Sequence, residues 1–396
     1  MLVLHLLLWV SVFVVVYTYL LYPFLLSIWA KGKQNNQQIF GKEEDLPYLI
    51  LLMSVHNEEA VIERKLQSIY HTDYPTDNFD IIIGSDGSTD RTNEIVARYA
   101  ERCDNLTLQI FEQQCGKPTV LNSLMERHGK AICSIDNCLI VMTDANVLFT
   151  ENTLYELAKH FKNSSIGIVG SNVLNVGTLD RGIAIQEQAY IQRENSIKYH
   201  EGVLWGSMMG AFGACYAIRA DLFTPIPANF LVDDFFLTMH VLQQGKKAIC
   251  EPAALCYEDV SEHPAIEFKR KRRISAGNFQ NLRRFIPLLL APTAKSFCFW
   301  SHKVLRWVAP FFILIALFCN YFLANHSVFY HYLFYIQIAL LCTPLIDYVL
   351  SKMGIHLKAM RYMAYFYLMN AALLAGFFHY LSGVKNSTWQ RTHRNT

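Results

Sequence analysis

Residues 48–59 read YLILLMSVHNEE and residues 79–90 read FDIIIGSDGSTD. Each opens on a β-rich apolar run, Tyr48 to Met53 and Phe79 to Gly84, and closes on polar and acidic residues. After the first run, Ile62, Leu66 and Ile69 fall on one helical face; after the second, Ile95, Val96, Tyr99 and Ala100 do the same. Strand followed by helix, twice over, predicts a mostly parallel sheet covered by helices. Thr107 to Phe111, Leu139 to Thr143 and Ile166 to Val169 supply further strands, with Pro118 suited to the first turn of one helix and Thr150 to the cap of another. The fold class is therefore α/β, and in such sheets ligands collect at the carboxyl ends of the strands.

Acidic residues stand at four such places: Glu58 in SVHNEE, Asp86 in GSDGSTD, Asp144 in TDAN, and the Asp233-Asp234 pair in LVDDFFL. Any one alone serves equally well as a helix cap, a first-turn residue favoured by the helix dipole, or a turn residue. Their joint recurrence at strand ends is the signal.

Outward from this core the chain becomes apolar. Of its 396 residues 52% are hydrophobic and only 17% charged, too apolar for an average soluble protein. From Leu2 to Trp29 the polar interruptions are few, and about 20 helical residues already cross a hydrocarbon core. Lys31 and Lys33 follow at once, which puts the globular part on the cytoplasmic side. Three more apolar runs lie near Val308 to Leu323, Phe329 to Leu350 and Tyr362 to Leu381, with Lys352, Lys358 and Arg361 between the last two. Counting spans sets the tail, with Lys385, Arg391 and Arg394, outside, against the positive-inside tendency, so either that tendency fails or the last run does not cross fully.

A net charge of +2 excludes the basic footprint of a nucleic-acid binder. Ten cysteines at irregular intervals, without a C-x-x-C pair, argue against a zinc site or a disulfide framework. No charged residue at the centre of an apolar run marks an ion path.

Together with Lys117 in CGKPTVLN and the glycine-rich GSMMGAFGACYAIR of residues 206–219, the acidic positions resemble, in order and spacing, the membrane-bound family 2 glycosyltransferases of GT-A (Rossmann-like) fold. That group includes the cellulose, chitin, hyaluronan and poly-N-acetylglucosamine synthases. The resemblance covers residues 48–285 and extends to the flanking apolar helices. It implies a transmembrane helix over 1–30, a cytoplasmic catalytic domain over 45–297, transmembrane helices over 303–383, and a tail over 384–396. The setting is then a multi-pass protein of the cell membrane.

The resemblance also implies roles. Asn57 and Glu58 sit at the family's nucleotide-binding strand end, and Asp86 at the aspartate that contacts uridine, while Asp90 reads as a helix cap. Lys117 would offset diphosphate charge. Asp144 and Asn146 occupy the D-x-D position that holds Mg²⁺ or Mn²⁺ on the diphosphate, with an amide where the second carboxylate is expected. Gly210 belongs to the stretch that lets backbone approach the donor sugar. Asp234 takes the place of the family's base, with Asp233 at the adjoining glutamate position.

In FKRKRRISAGN, residues 268–278, Arg273 keeps the register of the processive Q-x-x-R-W motif, while Arg270 replaces its glutamine and Ile274 its tryptophan. The basic run suits a diphosphate, an acceptor or lipid headgroups. The tail VKNSTWQRTHR resembles a Trp-and-Arg ending near the active site of related enzymes. The implied reaction moves a sugar from a UDP-sugar to a glycan or lipid-linked acceptor; the alternative is a non-catalytic membrane subunit of a polysaccharide assembly complex.

Overall fold

The computed structural model describes residues 1–176, 184–259, 264–384 and 387. These form two compact units. The sheet unit holds the described residues of Trp29–Thr178, Tyr190–Ser261 and Val384–Thr396; the helical unit holds those of Met1–Ile28, Leu179–Ala189 and Glu262–Gly383. Residues 264–297, assigned by sequence to the catalytic domain, thus group with the apolar helices.

Among the described residues the sheet has eight strands: β1 (Tyr48–Val55), β2 (Phe79–Asp86), β3 (Leu106–Phe111), β4 (Cys138–Thr143), β5 (Val147–Phe149), β6 (Ile166–Val176), β7 (Cys215–Arg219) and β8 (Lys247–Asp259). Their order is β3-β2-β1-β4-β7-β6-β8-β5. The half built from β3, β2, β1 and β4 is parallel throughout, with Leu51 opposite both Ile81 and Val141. Beyond β4 the sheet is mixed, because β7 runs antiparallel to both β4 and β6, and β5 runs antiparallel to β8. β6 and β8 pair in parallel, so four of the seven strand pairings among the described residues are parallel and the mostly parallel expectation holds, with the antiparallel ones confined to the second half. β1 is buried along nearly its whole length, which a strand covered by helices on both faces requires and which its unbroken apolar run satisfies.

Leu51, Met53, Ile81, Ile83, Leu139 and Val141 join one buried cluster with Ile62, Leu66 and Ile69 of the helix Ile62–Tyr70. Each large side chain so buried contributes roughly 1.5–3 kcal/mol. Pro118 stands in the first turn of the helix Lys117–Ser134, as its missing N–H allows. Thr150 does not cap a helix: the next helix starts at Thr153, and the Thr150 backbone N–H donates to the Thr153 hydroxyl instead.

In the helical unit, Leu2–Trp29 and Lys358–Leu381 are each long and apolar enough to cross a membrane. The first widens into a π turn over Tyr17–Leu21, just before Pro23, whose ring excludes an ordinary turn there. Two helix pairs, Ala294–Trp307 with Ala309–Leu323 and Val328–Leu341 with Thr343–Lys352, are bent by 59° and 49°. Each second member begins at a proline, Pro310 or Pro344. The apolar runs from Val308 and from Phe329 thus lie in bent helix pairs, whereas Tyr362 to Leu381 belongs to one continuous helix.

Candidate active site

The loops after β1 and β2 are stapled together. Asn57 adopts a left-handed conformation with φ of 55°, and its Oδ1 accepts the backbone N–H groups of Thr89 at 2.8 Å and Asp90 at 3.3 Å. Asparagine tolerates that conformation because its short amide bonds locally. The Glu58 N–H donates to the Thr92 hydroxyl, and the Glu58 side chain is buried. Asp90, one residue before the cap position held by Arg91, accepts from the Thr92 N–H at 2.9 Å at the start of the helix Thr92–Ala100 and so satisfies a first-turn donor as a cap would. A His56 ring nitrogen reaches the Asp86 carbonyl at 2.6 Å.

Asp86 ends β2 fully buried. Its two carboxylate oxygens accept the N–H groups of Cys115 at 2.6 Å and Gly116 at 2.9 Å. A carboxylate so engaged anchors the loop that delivers the next residue, Lys117, to the site. The resemblance gives Asp86 a direct contact with uridine; its two backbone partners show that it also holds the Cys115–Gly116 backbone.

From the first turn of its helix, the Lys117 ammonium lies 2.8 Å from Asp144 Oδ1 and 3.4 Å from Asp233 Oδ2. Residues 117, 144 and 233, far apart in sequence, thus meet at one point. Burial disfavours the charged lysine, but Asp144, Asp233 and Asp234 outweigh it and raise its pKa. Asp234 is half-buried beside Asp233 at the start of the helix Asp233–Gln243, and its Oδ1 accepts from the Phe235 N–H at 2.7 Å. Burial and the Asp233 charge push the Asp234 carboxyl up to about 6, against the opposing pull of the Phe235 N–H, Lys117 and Lys198.

Asp144 and Asp233 both face the Lys117 ammonium, with Asp234 next to them and Lys198 also acting on Asp234, and two carboxylates so placed suit a cation. Among the described residues Asp233 Oδ2 has only the 3.4 Å ion contact with Lys117 and no well-formed hydrogen bond, and the fully buried Tyr216 hydroxyl has no hydrogen-bond partner. The Lys117 ammonium already shows that a positive charge fits between Asp144 and Asp233. Hard divalent ions take carboxylate oxygens and complete their shell with substrate phosphates. The described residues hold no set of three or more His, Cys, Asp or Glu side chains able to bind a metal alone, so a shared shell is the arrangement these residues fit. Asn146 turns its amide nitrogen toward Glu258 Oε1 at 3.4 Å. The second carboxylate nearest the Lys117 charge comes from Asp233.

Gly210 has φ of 85°, and a Cβ there would lie 2.7 Å from Phe235 Cδ2. The glycine lets the 206–219 segment press against the helix that carries Asp234. A Cβ on Gly213 would come 3.1 Å from Asp234 Oδ2 itself.

Arg270 and Arg273 belong to the helix Pro264–Leu289 of the helical unit. Arg270 is paired with Glu187 and Glu267, each at 3.2 Å, and Lys271 reaches the same two carboxylates at 2.9 and 3.3 Å. Burial acts against the Glu187 charge, but Lys271 and Arg270 prevail and hold its carboxyl below its ordinary value. Of the tail, Trp389 and Arg391 lie outside the described residues. The Ser387 hydroxyl donates to the Ala228 carbonyl at 2.7 Å, which ties that point to the sheet unit.

Sequence reasoning passed over Lys65 and Glu258, and took Gly213 and Tyr216 only as part of the glycine-rich stretch 206–219. The last three lie on or beside strands that no clear periodicity announced. An ammonium inside an apolar helical face, as at Lys65, was the one signal open to reading.

The family profile for glycosyl transferase family 2 matches residues 50–224, and that for glycosyl transferase family group 2 matches residues 139–379. The second spans more than half of the chain, and the chain belongs to that family. A probable glycosyltransferase of Bacillus subtilis, YdaM, is 25% identical over 304 residues, 74% of this chain and 68% of that protein. A beta-monoglucosyldiacylglycerol synthase of Nostoc is 28% identical over 42% of this chain, a match that spans only 34% of the synthase. The poly-beta-1,6-N-acetyl-D-glucosamine synthase of Staphylococcus aureus is 23% identical over 61% of this chain and 57% of its own.

In fold, the chain resembles a mannosyltransferase of Pyrobaculum calidifontis solved with GDP-Man and Mn²⁺. The TM-score is 0.67 at 21% identity, covering 95% of this chain and 99% of that one. The α/β sheet with its apolar helices is thus a GT-A glycosyltransferase fold, and the enzyme class is glycosyltransferase.

Proposed function

We propose that the chain is an inverting glycosyltransferase that takes its sugar from a nucleoside diphosphate sugar, a UDP-sugar by resemblance, and passes it to a glycan or lipid-linked hydroxyl at a membrane. The observation that carries this reading is the meeting of Lys117, Asp144 and Asp233 at 2.8 and 3.4 Å, with Asp234 next in the chain.

In this reading Asp144 and Asp233, with Asn146 beside the turn, hold a divalent cation, Mg²⁺ or Mn²⁺, that neutralises the donor diphosphate. Lys117 offsets the charge that grows on that diphosphate as its bond to the anomeric carbon breaks. The acceptor oxygen attacks from the opposite face, and Asp234 takes the proton it sheds. A carboxyl raised to about 6 is a stronger base than an ordinary aspartate and still ionised at neutral pH. The strand ends around Asn57 and Glu58 form the nucleoside side of the cleft, and Asp86 holds the Lys117 loop against it.

Leu2–Trp29 and Lys358–Leu381 support insertion in a bilayer, and Lys31 with Lys33 after the first helix supports a cytoplasmic sheet unit. Arg270 and Arg273 remain candidates for the acceptor or for phosphate; Arg270 would have to exchange Glu187 or Glu267 for that partner. Curated relatives act, by their names, on both a diacylglycerol lipid and a polysaccharide, and both acceptor classes belong in the test.

The test uses full-length protein in proteoliposomes with UDP-glucose, UDP-N-acetylglucosamine and GDP-mannose in turn, with Mn²⁺, Mg²⁺ or EDTA, and reads released nucleotide. Asp144→Ala and Asp234→Asn should each lower turnover by about 10²-fold or more. Turnover unchanged in both variants would mean that these carboxylates do no chemistry.

A further inference from the structure

The Lys65 ammonium lies wholly inside the sheet unit, with no exposed surface. It donates to the Thr143 hydroxyl at 2.9 Å and to the Val147 carbonyl at 2.7 Å, and sits 3.4 Å from the centre of the Phe149 ring. Among the described residues it makes no ion pair. A charged amine in such a place is costly unless paired, so the positions of its two oxygen partners deserve weight.

Thr143 is the last residue of β4 and Val147 the first of β5. Between them lie only Asp144, Ala145 and Asn146. One ammonium therefore grips both ends of the turn that presents Asp144. Thr143 passes the connection on: its hydroxyl donates to the Ala214 carbonyl at 2.9 Å, and the Asp144 N–H reaches that carbonyl at 3.2 Å. Ala214 follows Gly213, the residue packed against Asp234. Lys65, the Asp144 turn and the surroundings of the base are thus joined by consecutive hydrogen bonds and contacts.

The helix Ile62–Tyr70 does not need a lysine here. Its buried face otherwise consists of Ile62, Leu66 and Ile69, and a methionine of similar length would fill the space with an apolar chain. Burial does push the Lys65 pKa down, to about 8, countered by Cys215, Cys256 and Asp144. The ammonium still carries its proton at neutral pH.

We propose that Lys65 is a positioning residue for cation binding: from beneath the sheet it fixes the Asp144–Asn146 turn in the shape that offers the Asp144 carboxylate to a divalent ion on the donor diphosphate. This rests on the reading of Asp144 as a cation ligand.

The experiment measures Mn²⁺ binding to the full-length protein in detergent with UDP present, by loss of the free Mn²⁺ paramagnetic signal, alongside melting temperature and the Mn²⁺ dependence of turnover. Lys65→Met should weaken Mn²⁺ at least tenfold while the melting temperature stays level or rises, since removing a lone buried charge relieves its desolvation. Thr143→Val, which keeps the shape and deletes the hydroxyl link, should weaken Mn²⁺ about threefold or more, and it decides the matter if Lys65→Met does not fold. Unchanged Mn²⁺ affinity in a folded Lys65→Met protein, or in Thr143→Val alone when Lys65→Met is unfolded, would overturn the proposal, as would a melting temperature that falls with no change in affinity. Asp144→Ala separates this failure from that of the parent reading: if Asp144→Ala also leaves Mn²⁺ binding intact, the assignment of Asp144 itself is wrong.

Discussion

The acid side of the pH profile offers the sharpest test of Asp234. A general base works only when ionised, and this carboxyl is pushed up to about 6 by burial and by the charge of Asp233. The sign follows directly: above about pH 6 the base is ionised and kcat/KM is on its plateau, and activity is lost as pH falls through that value. Below it the rate should drop about tenfold per pH unit, to roughly a tenth of the plateau at about pH 5. Asp233→Asn then shifts the limb.

Neighbouring carboxylates roughly 6–8 Å apart at an effective dielectric of about 20 repel by roughly 2–3 kcal/mol. At about 1.4 kcal/mol per tenfold change, and halved for partial solvent access, this moves the limb by about one pH unit toward acid. The assay is initial-rate nucleotide release at subsaturating donor from about pH 4.5 to 8.5 in buffers of constant ionic strength. Each variant is compared with its own plateau, so a general loss of activity in Asp233→Asn does not disturb the reading. A wild-type profile flat down to about pH 4.5, or a limb that Asp233→Asn moves toward alkali, refutes Asp234 as a base coupled to Asp233.

Two further outcomes test the supporting architecture. Asp86→Asn replaces one accepting oxygen with an N–H₂ that faces a backbone N–H of Cys115 or Gly116; it should cost roughly 2–3 kcal/mol, lower the melting temperature by several degrees and raise the donor KM, since the Lys117 loop loses its anchor. A donor KM that does not move would remove Asp86 from the anchoring role. Gly210→Ala meets both a left-handed φ and Phe235 at 2.7 Å, whereas Gly245→Ala, at φ of 82°, meets nothing within 4 Å; the first should lose roughly 2–4 kcal/mol and much of kcat, the second about 1–2 kcal/mol with kcat intact. Equal losses in the two would show that the Phe235 contact is not what holds the Asp234 helix in place.

How much of this was legible beforehand follows from the range of the interactions involved. The strands β1, β2 and β4 announced themselves because a strand buried on both faces is apolar through its middle, as Leu49–Met53, Ile81–Ile83 and Leu139–Met142 are. The site acids were visible because parallel strands end where ligands bind, so Asp86 and Asp144 stood at predictable places. Of the mixed half only the start of β6, Ile166 to Val169, was legible: β7 is only Cys215–Arg219, and β8 draws its order from long pairing with β6 that no local pattern reports.

The same limit separates the residues of the site. Lys117, Asp144 and Asp234 belong to local motifs, so their sequence neighbours identify them. Lys65 and Tyr216 matter because distant strands fold over them; the apolar face around Lys65 hints at its burial but not at its partners. Asp86 adds a point its motif did not carry, since its carboxylate also fastens the backbone of residues 115 and 116. Motif spacing locates a carboxylate, but which atoms approach it is set by packing, and packing here brings Lys117 to Asp144 and Asp233.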